Sequence, residues 1–138
     1  MKIENADNFI ELDIEIESEK SLPSFGDAYV SIIVSSHGFS GRNQVWVQRE
    51  ELKSFCTSLV KLEKYRKGEA TLNSISPGEL KLRIYSVDSQ GHLAIEGSTG
   101  YVVSSDLNEH NHSVSFGFSI EPNQLVKICK LEWVQKNA

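Results

Sequence analysis

The sequence predicts an α+β fold: a largely antiparallel meander of about seven to eight strands, one central amphipathic helix and one C-terminal helix. One segment near the middle of the chain has the apolar spacing of a helix, and a second, less regular one follows Pro122. Short segments of alternating apolar and polar residues lie on both sides of the central helix, separated by glycine, proline and serine. This order favours antiparallel pairing. It leaves open whether the strands form one curved sheet or two packed sheets.

The central helix is predicted within the segment from Trp46 to Gly68. Its apolar residues follow the i, i+3, i+4, i+7, i+8 spacing that places them on one helix face: Leu52, Phe55, Cys56, Leu59 and Val60. Acidic residues fall in its first turn and basic residues near its end, which complements the helix dipole: Glu50, Glu51, Lys61, Lys64, Arg66 and Lys67. Gly68 is expected to be the left-handed C-cap. Because a one-sided helix of this length is stabilised mainly by packing, its apolar face should cover the flanking strands.

Three strands are predicted before the helix. Residues Asn8 to Glu17 alternate isoleucine or leucine with acidic residues, which is typical of a strand with one buried side. Residues Ala28 to Ser36 are rich enough in β-branched side chains for a central strand. His37 to Gly41 is predicted to be a turn of about five residues, and the third strand, Arg42 to Val47, leads into the helix.

Four or five further strands and a final helix are predicted after the central helix. The strands are, in order, Ala70–Ile75, Leu80–Val87, His92–Thr99, a possible continuation at Tyr101–Ser104, and Ser113–Ile120. The polar segment Asp106–His112 is expected to be a mobile loop tip. Pro122 is acceptable in the first turn of the C-terminal helix. The segment from Lys130 to Gln135 fits either the end of that helix or a short strand.

Composition indicates an ordinary soluble protein. The chain has 138 residues, 39% of them hydrophobic and 24% charged, which predicts a single domain spanning residues 1–138. No apolar run approaches the ~20 residues of a membrane span, and the first residues lack the apolar core of a secretory signal. A cytoplasmic location is therefore expected. Cys56 and Cys129, the only cysteines, lie in apolar segments and are expected to be buried reduced thiols.

Charge is concentrated at the N-terminus. The formal net charge is -5, and the first twenty residues hold seven acidic residues against Lys2 and Lys20, whereas the remaining 118 hold twelve of each sign. A nucleic-acid-binding protein would be expected to carry a basic stripe instead. The distribution therefore argues against nucleic acid as the partner.

The candidate partner-binding residues are the acidic side chains of the first strand and two aromatic side chains: Glu11, Asp13, Glu15, Glu17, Trp46 and Tyr85. Carboxylates at every second position of a strand are spaced by ~6.8 Å, too far apart to surround a cation. Such a row is either a solvated face whose charge prevents edge-to-edge aggregation or a docking surface for a basic protein. Trp46 and Tyr85 lie opposite the apolar positions of their strands. They are either exposed interface anchors or packed beneath a neighbouring loop.

No catalytic centre, metal site or cofactor site is predicted. His110 and His112 are only two ligands in a polar segment, whereas zinc sites use three or four firmly held ligands. The sequence contains no nucleophile elbow, phosphate loop or dinucleotide-binding motif. The protein is therefore expected not to be an enzyme. Two alternatives remain open: a metal- or small-ligand-binding domain, with possible enzymatic activity, built on His92, His110 and His112, and a homo-oligomeric scaffold pairing through an open sheet edge.

Two parts of the chain together resemble a known family. The first runs from Gly26-Asp-Ala-Tyr29 through Gly38-Phe-Ser-Gly41 to Trp46-Val47 and the helix. The second runs from Gly68 to Gly97, includes the turn Asp88-Ser-Gln-Gly-His92, and is followed by the phenylalanine-rich strand and Glu121-Pro-Asn-Gln-Leu125. Over about residues 9–131 the chain is similar to short bacterial proteins akin to the WapI-type immunity proteins. This resemblance implies neutralisation of a toxin by direct binding in the cytoplasm, without catalytic residues. The long polar segment Asp106–His112 departs from the family pattern.

Overall fold

The eight strands form two antiparallel sheets, each of four strands in chain order. The computed structural model describes all 138 residues. The N-terminal sheet consists of β1 (Lys2–Asn5), β2 (Asn8–Ile16), β3 (Ala28–Ser36) and β4 (Phe39–Val47), and the C-terminal sheet of β5 (Glu69–Asn73), β6 (Leu80–Ser86), β7 (Leu93–Ser104) and β8 (Glu109–Ile120). The helices are α1 (Arg49–Tyr65), α2 (Pro122–Cys129) and α3 (Glu132–Asn137). The predicted fold class is confirmed, and the strands form two sheets.

One hydrophobic core joins both sheets and all three helices. Strand β8 lies against β1, β3 and β4, and β7 also contacts β4, so the C-terminal sheet meets the N-terminal sheet through its last two strands. Hydrogen bonds join β1 to α2: the backbone N–H of Glu4 donates to Gln124 Oε1 at 2.8 Å, and Gln124 Nε2 donates to the Glu4 carbonyl at 2.6 Å. None of the helices is both long and apolar enough to cross a membrane.

Strand β1 is the one strand that the sequence pattern does not reveal. It has four residues, and Ile3 is its only buried side chain, so no alternation is visible. It forms because it pairs with β2 in antiparallel register, with Ile3 opposite Ile10. Pairing with a strongly patterned neighbour therefore decides its structure.

The turn between β3 and β4 is shorter than the predicted turn of about five residues. Ser36 pairs with Phe39, which leaves only His37 and Gly38 between the strands. Both residues have positive φ, 52° and 87°, as two-residue hairpin turns whose twist matches the strands require. The prediction of a turn over His37–Gly41 was wrong because pairing continues to the turn and makes Phe39–Gly41 part of β4.

Helix α1 buries four of the five predicted apolar residues, with Val60 only partly buried, and it ends earlier than predicted. Its buried side chains are Leu52, Phe55, Cys56, Leu59 and Leu62. The left-handed C-cap is Arg66, with φ 56° and ψ 33°, and its backbone N–H donates to the Leu62 carbonyl. Gly68 also has positive φ but lies two residues further on, so the prediction of Gly68 as the cap was wrong. The Arg66 side chain helps to hold this conformation, because its Nε donates to the Glu63 carbonyl at 2.9 Å.

The longest hairpin in the molecule replaces the predicted mobile loop. Residues Tyr101–Ser104 of β7 pair with Glu109–His112 of β8, so only residues 105–108 form a turn. Ser105 closes that turn: its backbone N–H donates to the Asn108 carbonyl at 2.8 Å and its Oγ to the same oxygen at 3.0 Å. The prediction of a loop over Asp106–His112 holds for Asp106–Asn108 in the turn. It was wrong for Glu109–His112, because their main-chain pairing with β7 outweighs their polar composition.

The C-terminal segment forms two short helices instead of one. Helix α2 ends at Cys129, and Leu131 adopts an extended conformation, with φ −63° and ψ 140°, before α3 begins. The alternative of a terminal strand is wrong, because α3 turns the fully buried Val134 into the core.

Candidate protein-binding surface

Three carboxylates of the predicted row lie together on the outer face of the N-terminal sheet. Glu11, Asp13 and Glu15 are exposed, while the side chains between them on β2 face the core or its margin. None of the three forms an ion pair within 4 Å. Glu17 lies just beyond the end of β2 and is half-buried. We call Glu11, Asp13, Glu15 and Glu17 the acidic row. Its unpaired charge is available to attract a basic partner.

An aromatic groove lies at one end of this row. Glu15 pairs with Tyr29 across β2 and β3, and Tyr29 pairs with Trp46 across β3 and β4. The two rings have centroids 5.2 Å apart and planes tilted by 49°. Trp46 remains 41% exposed. The groove, with a volume of about 330 Å³, is lined by Glu15, Ile16, Glu17, Ser18, Tyr29 and Trp46.

The aromatic groove therefore brings three of the predicted residues together and adds a fourth. Glu15, Glu17 and Trp46 line it, as does Tyr29, which sequence reasoning missed. Strand β3 reads as buried on both sides because it is rich in β-branched residues. The signal that could have identified Tyr29 is its parity: it occupies the same set of alternate positions as Ser31 and Ser35, which mark the outer face.

Tyr85, the remaining predicted anchor, lies on the outer face of the other sheet. The Arg83 guanidinium lies 3.8 Å from the centroid of its ring, and its hydroxyl donates to Glu96 at 3.3 Å. Arg83 also bonds Glu69 and Glu96, and these hydrogen bonds raise its pKa. Partial burial, together with the Glu96 carboxylate, raises the pKa of Tyr85. Tyr85 is thus part of a separate polar cluster.

The three histidines of the alternative metal site do not meet. His92 Nδ1 lies 2.7 Å from Asp88 Oδ2, in the turn before β7. The pKa of Asp88 is lowered mainly by this hydrogen bond from His92. His110 and His112 pair with Val103 and Tyr101 near the other end of β7, which places them ~30 Å along the strand from His92. No group of three or more histidine, cysteine, aspartate or glutamate side chains is arranged to hold a metal ion.

A projecting hairpin is the second prominent surface feature. We call residues 100–113 the β arm: β6 pairs with β7 only as far as Thr99, so beyond that position β7 and β8 pair only with each other. Its exposed apolar side chains are Tyr101 (47%), Val102 (53%), Val103 (46%) and Leu107 (95%). At its base Tyr101 lines a hollow of about 470 Å³ together with outer-face residues of the N-terminal sheet, among them Tyr29, Ser31 and Gln44. The arm is therefore continuous with the surface that carries the acidic row.

Both cysteines are free and buried, as expected. Burial raises the pKa of Cys56 to about 12 and that of Cys129 to about 11. Cys129 Sγ lies 3.5 Å from the Leu59 carbonyl oxygen, within the packing between α2 and α1. Thiols held in the neutral form away from solvent are poor nucleophiles. The two cysteines thus contribute to the core.

Comparison with known proteins gives one match. No curated protein and no solved structure matches the chain. The family model described as the Immunity protein WapI-like family matches residues 2–131. This range includes all eight strands, α1 and α2, and with them the acidic row, the aromatic groove and the β arm. The chain belongs to the Immunity protein WapI-like family.

Proposed function

We propose that this protein is a cytoplasmic immunity protein that neutralises a toxin domain by binding it directly. The observation that carries the proposal is the family match over residues 2–131. In this proposal the protein blocks the toxin by occupying its surface, and none of its own side chains reacts.

The proposed contact surface is the outer face of the N-terminal sheet. The acidic row would attract a basic toxin domain over distances of about a Debye length, ~8 Å at physiological salt, and would exclude acidic proteins. This accelerates association more than it tightens the final complex. The net charge of -5 acts in the same direction.

The aromatic groove is suited to a lysine or arginine side chain of that toxin domain. Trp46 and Tyr29 offer aromatic faces to the aliphatic part of such a side chain and to its charge, while Glu15 and Glu17 supply carboxylates at the rim. Aromatic side chains that become buried when the complex forms, and that are surrounded by polar groups, are the usual form of an interface hot spot. Tyr85 belongs to the same proposal only if the toxin also reaches the C-terminal sheet.

The test begins with the neighbouring genes: the proposal expects a large protein to be encoded directly upstream of this chain, and its C-terminal domain to be the toxin domain. Production of that domain alone should arrest growth, and co-production of this chain should restore it. The two purified proteins should form a one-to-one complex in calorimetry. A folded variant in which lysine replaces Glu11, Asp13 and Glu15 should protect poorly, because the acidic row no longer attracts the basic toxin domain. Absence of both a complex and protection by the natural chain would overturn the proposal.

A further inference from the structure

The β arm presents apolar side chains on both of its faces. Tyr101 and Val103 share one face, opposite His112 and His110, whereas Val102 lies on the other face. Leu107, in the turn, is 95% exposed. The arm extends ~17 Å beyond the last pairing with β6. Apolar side chains concentrated on a projecting element are typical of a contact surface.

The base of the arm is held firmly in place. Asn43 Nδ2, on β4, donates to Thr99 Oγ1 and to the Gly100 carbonyl, each at 3.0 Å. Thr99 Oγ1 donates to the Glu79 carbonyl at 2.6 Å, and the Gly100 N–H donates to the same oxygen at 3.2 Å. These bonds fix the direction of the arm relative to both sheets. A pre-oriented contact element loses less conformational entropy on binding than a flexible loop.

Charge indicates which kind of partner the arm accepts. Between Arg83 and Lys127 the sequence contains five acidic residues and no lysine or arginine. Two of the acidic residues, Asp106 and Glu109, are in the arm itself. Two copies carry the same negative charge in the arm, and this like-charge repulsion disfavours a second copy of this chain. A positively charged protein surface would instead complement them.

We infer that the β arm is a second contact element, whose side chains Val102, Val103 and Leu107 pack in an apolar cleft of the toxin domain that has a positively charged rim. This inference rests on the proposed function. The hollow at the base of the arm connects it to the outer face of the N-terminal sheet through Tyr29 and Tyr101. A single toxin domain can therefore contact the acidic row and the arm together, the row determining the association rate and the arm slowing dissociation.

The experiment compares two triple variants of the full chain. Val102→Thr, Val103→Thr and Leu107→Ser remove apolar contact while threonine keeps the β-branched shape that favours a strand. The control changes three side chains that are also exposed but lie outside the arm: Val87→Thr, Ile75→Thr and Leu22→Ser. Both are titrated with the toxin domain that the test of the proposed function identifies. Circular dichroism verifies folding, and light scattering gives the mass of the free proteins.

The arm variant is expected to bind about ten- to a hundredfold more weakly, mainly through faster dissociation, and the control within about twofold of the natural chain. Equal binding by the arm variant and the natural chain would overturn the inference and leave the proposed function intact. If the natural chain fails to bind, the proposed function fails and the inference with it. A dimer of the natural chain that the arm variant abolishes would identify a second copy as the occupant, against the inference.

Discussion

Asn43 and Thr99 join the two sheets: the Asn43 side-chain amide donates to Thr99 Oγ1 at 3.0 Å across the gap between β4 and β7. Thr99 is 2% exposed, so its hydroxyl needs a protein partner. The same amide also reaches the carbonyls of Gly100 and Glu79, at 3.0 and 3.3 Å. One side chain thus serves three acceptors at the point where the β arm leaves the core.

Replacing Asn43 by alanine should destabilise the protein by about 1–3 kcal/mol, because partly buried acceptors lose their donor. Urea denaturation measures the change in the free energy of unfolding. The control is Gln44→Ala on the adjacent, outward-facing position, whose exposed side chain makes no hydrogen bond; it should change stability by less than about 0.5 kcal/mol. Equal effects of the two substitutions would contradict a joining role for Asn43.

Sequence patterns predicted those elements whose own side chains alternate or follow a helical period. Strand β2 and helix α1 were identified in this way, since Ile10 and Leu12, or Leu52 and Phe55, mark their buried faces. Strand β1 and residues Glu109–His112 of the β arm carry no such signal. Their structure comes from main-chain pairing with the neighbouring strand across a short turn, as the pairs Ile3–Ile10 and Val103–His110 show.

The candidate surface was partly predictable for the same reason. The alternation of β2 placed Glu11, Asp13 and Glu15 on one face, which the structure shows as exposed. Whether Trp46 or Tyr85 shares that face depends on which strands pair with each other. The apolar and polar pattern within a single strand does not show its pairing partner. The register of β3 with β4 places Trp46 beside Tyr29, and Tyr85 lies in the other sheet.

Reversing a charge in the acidic row should slow association with the toxin domain. The variant Asp13→Lys removes an exposed, unpaired carboxylate at the middle of the row. Its association rate should fall by about three- to tenfold at low salt, and less at high salt because of screening. Stopped-flow mixing at two ionic strengths measures the association rate and its dependence on salt.

The control for the charge reversal is Glu132→Lys, which alters the net charge equally on the exposed surface of α3. Unfolding by urea should show that Asp13→Lys costs little stability, because its side chain is solvated. If both variants associated at the same rate, only the net charge would matter and the acidic row would have no specific role.

Trp46 and Tyr85 should differ in their effect on binding. If the aromatic groove is the anchor site, Trp46→Ala weakens the complex by about tenfold or more, whereas Tyr85→Ala changes the dissociation constant by less than about twofold. Calorimetric titration of the toxin domain into each variant gives the comparison. Trp46→Ala also loses the aromatic pair with Tyr29, about 0.5–1.5 kcal/mol of stability. A larger loss of affinity for Tyr85→Ala would place the interface on the C-terminal sheet.

The turn between β3 and β4 offers a test of backbone geometry. His37 has a φ of 52° and Gly38 of 87°. Asparagine tolerates the first conformation better than histidine, so His37→Asn should stabilise the protein by a few tenths of a kcal/mol, about 0.3–0.5. Gly38→Ala should destabilise it by about 1 kcal/mol, since alanine is strained at positive φ. Scanning calorimetry should show a higher Tm for the first variant and a lower Tm for the second; the reverse order would contradict the two-residue turn.

The buried cysteines should be unreactive in the folded protein. Burial holds both thiols in the neutral form, with the pKa of Cys56 raised to about 12 and that of Cys129 to about 11. A thiol-specific disulfide reagent at pH 8 should label neither cysteine in the native protein and both in guanidinium chloride. Stoichiometric labelling without denaturant would show that this region of the core opens readily.

The same thiols should make the protein less stable in alkali. In the unfolded chain a cysteine ionises near its usual pKa of 9.0, whereas in the folded protein Cys56 stays protonated until about pH 12. Unfolding above pH 9 therefore releases protons, so the free energy of unfolding falls as the pH rises, by up to about 1.4 kcal/mol per pH unit for each thiol. Cys56→Ala should show a shallower decline between pH 9 and 10.5 than the natural chain, because other titrating groups contribute equally to both. Identical slopes would mean that Cys56 is not buried as a neutral thiol.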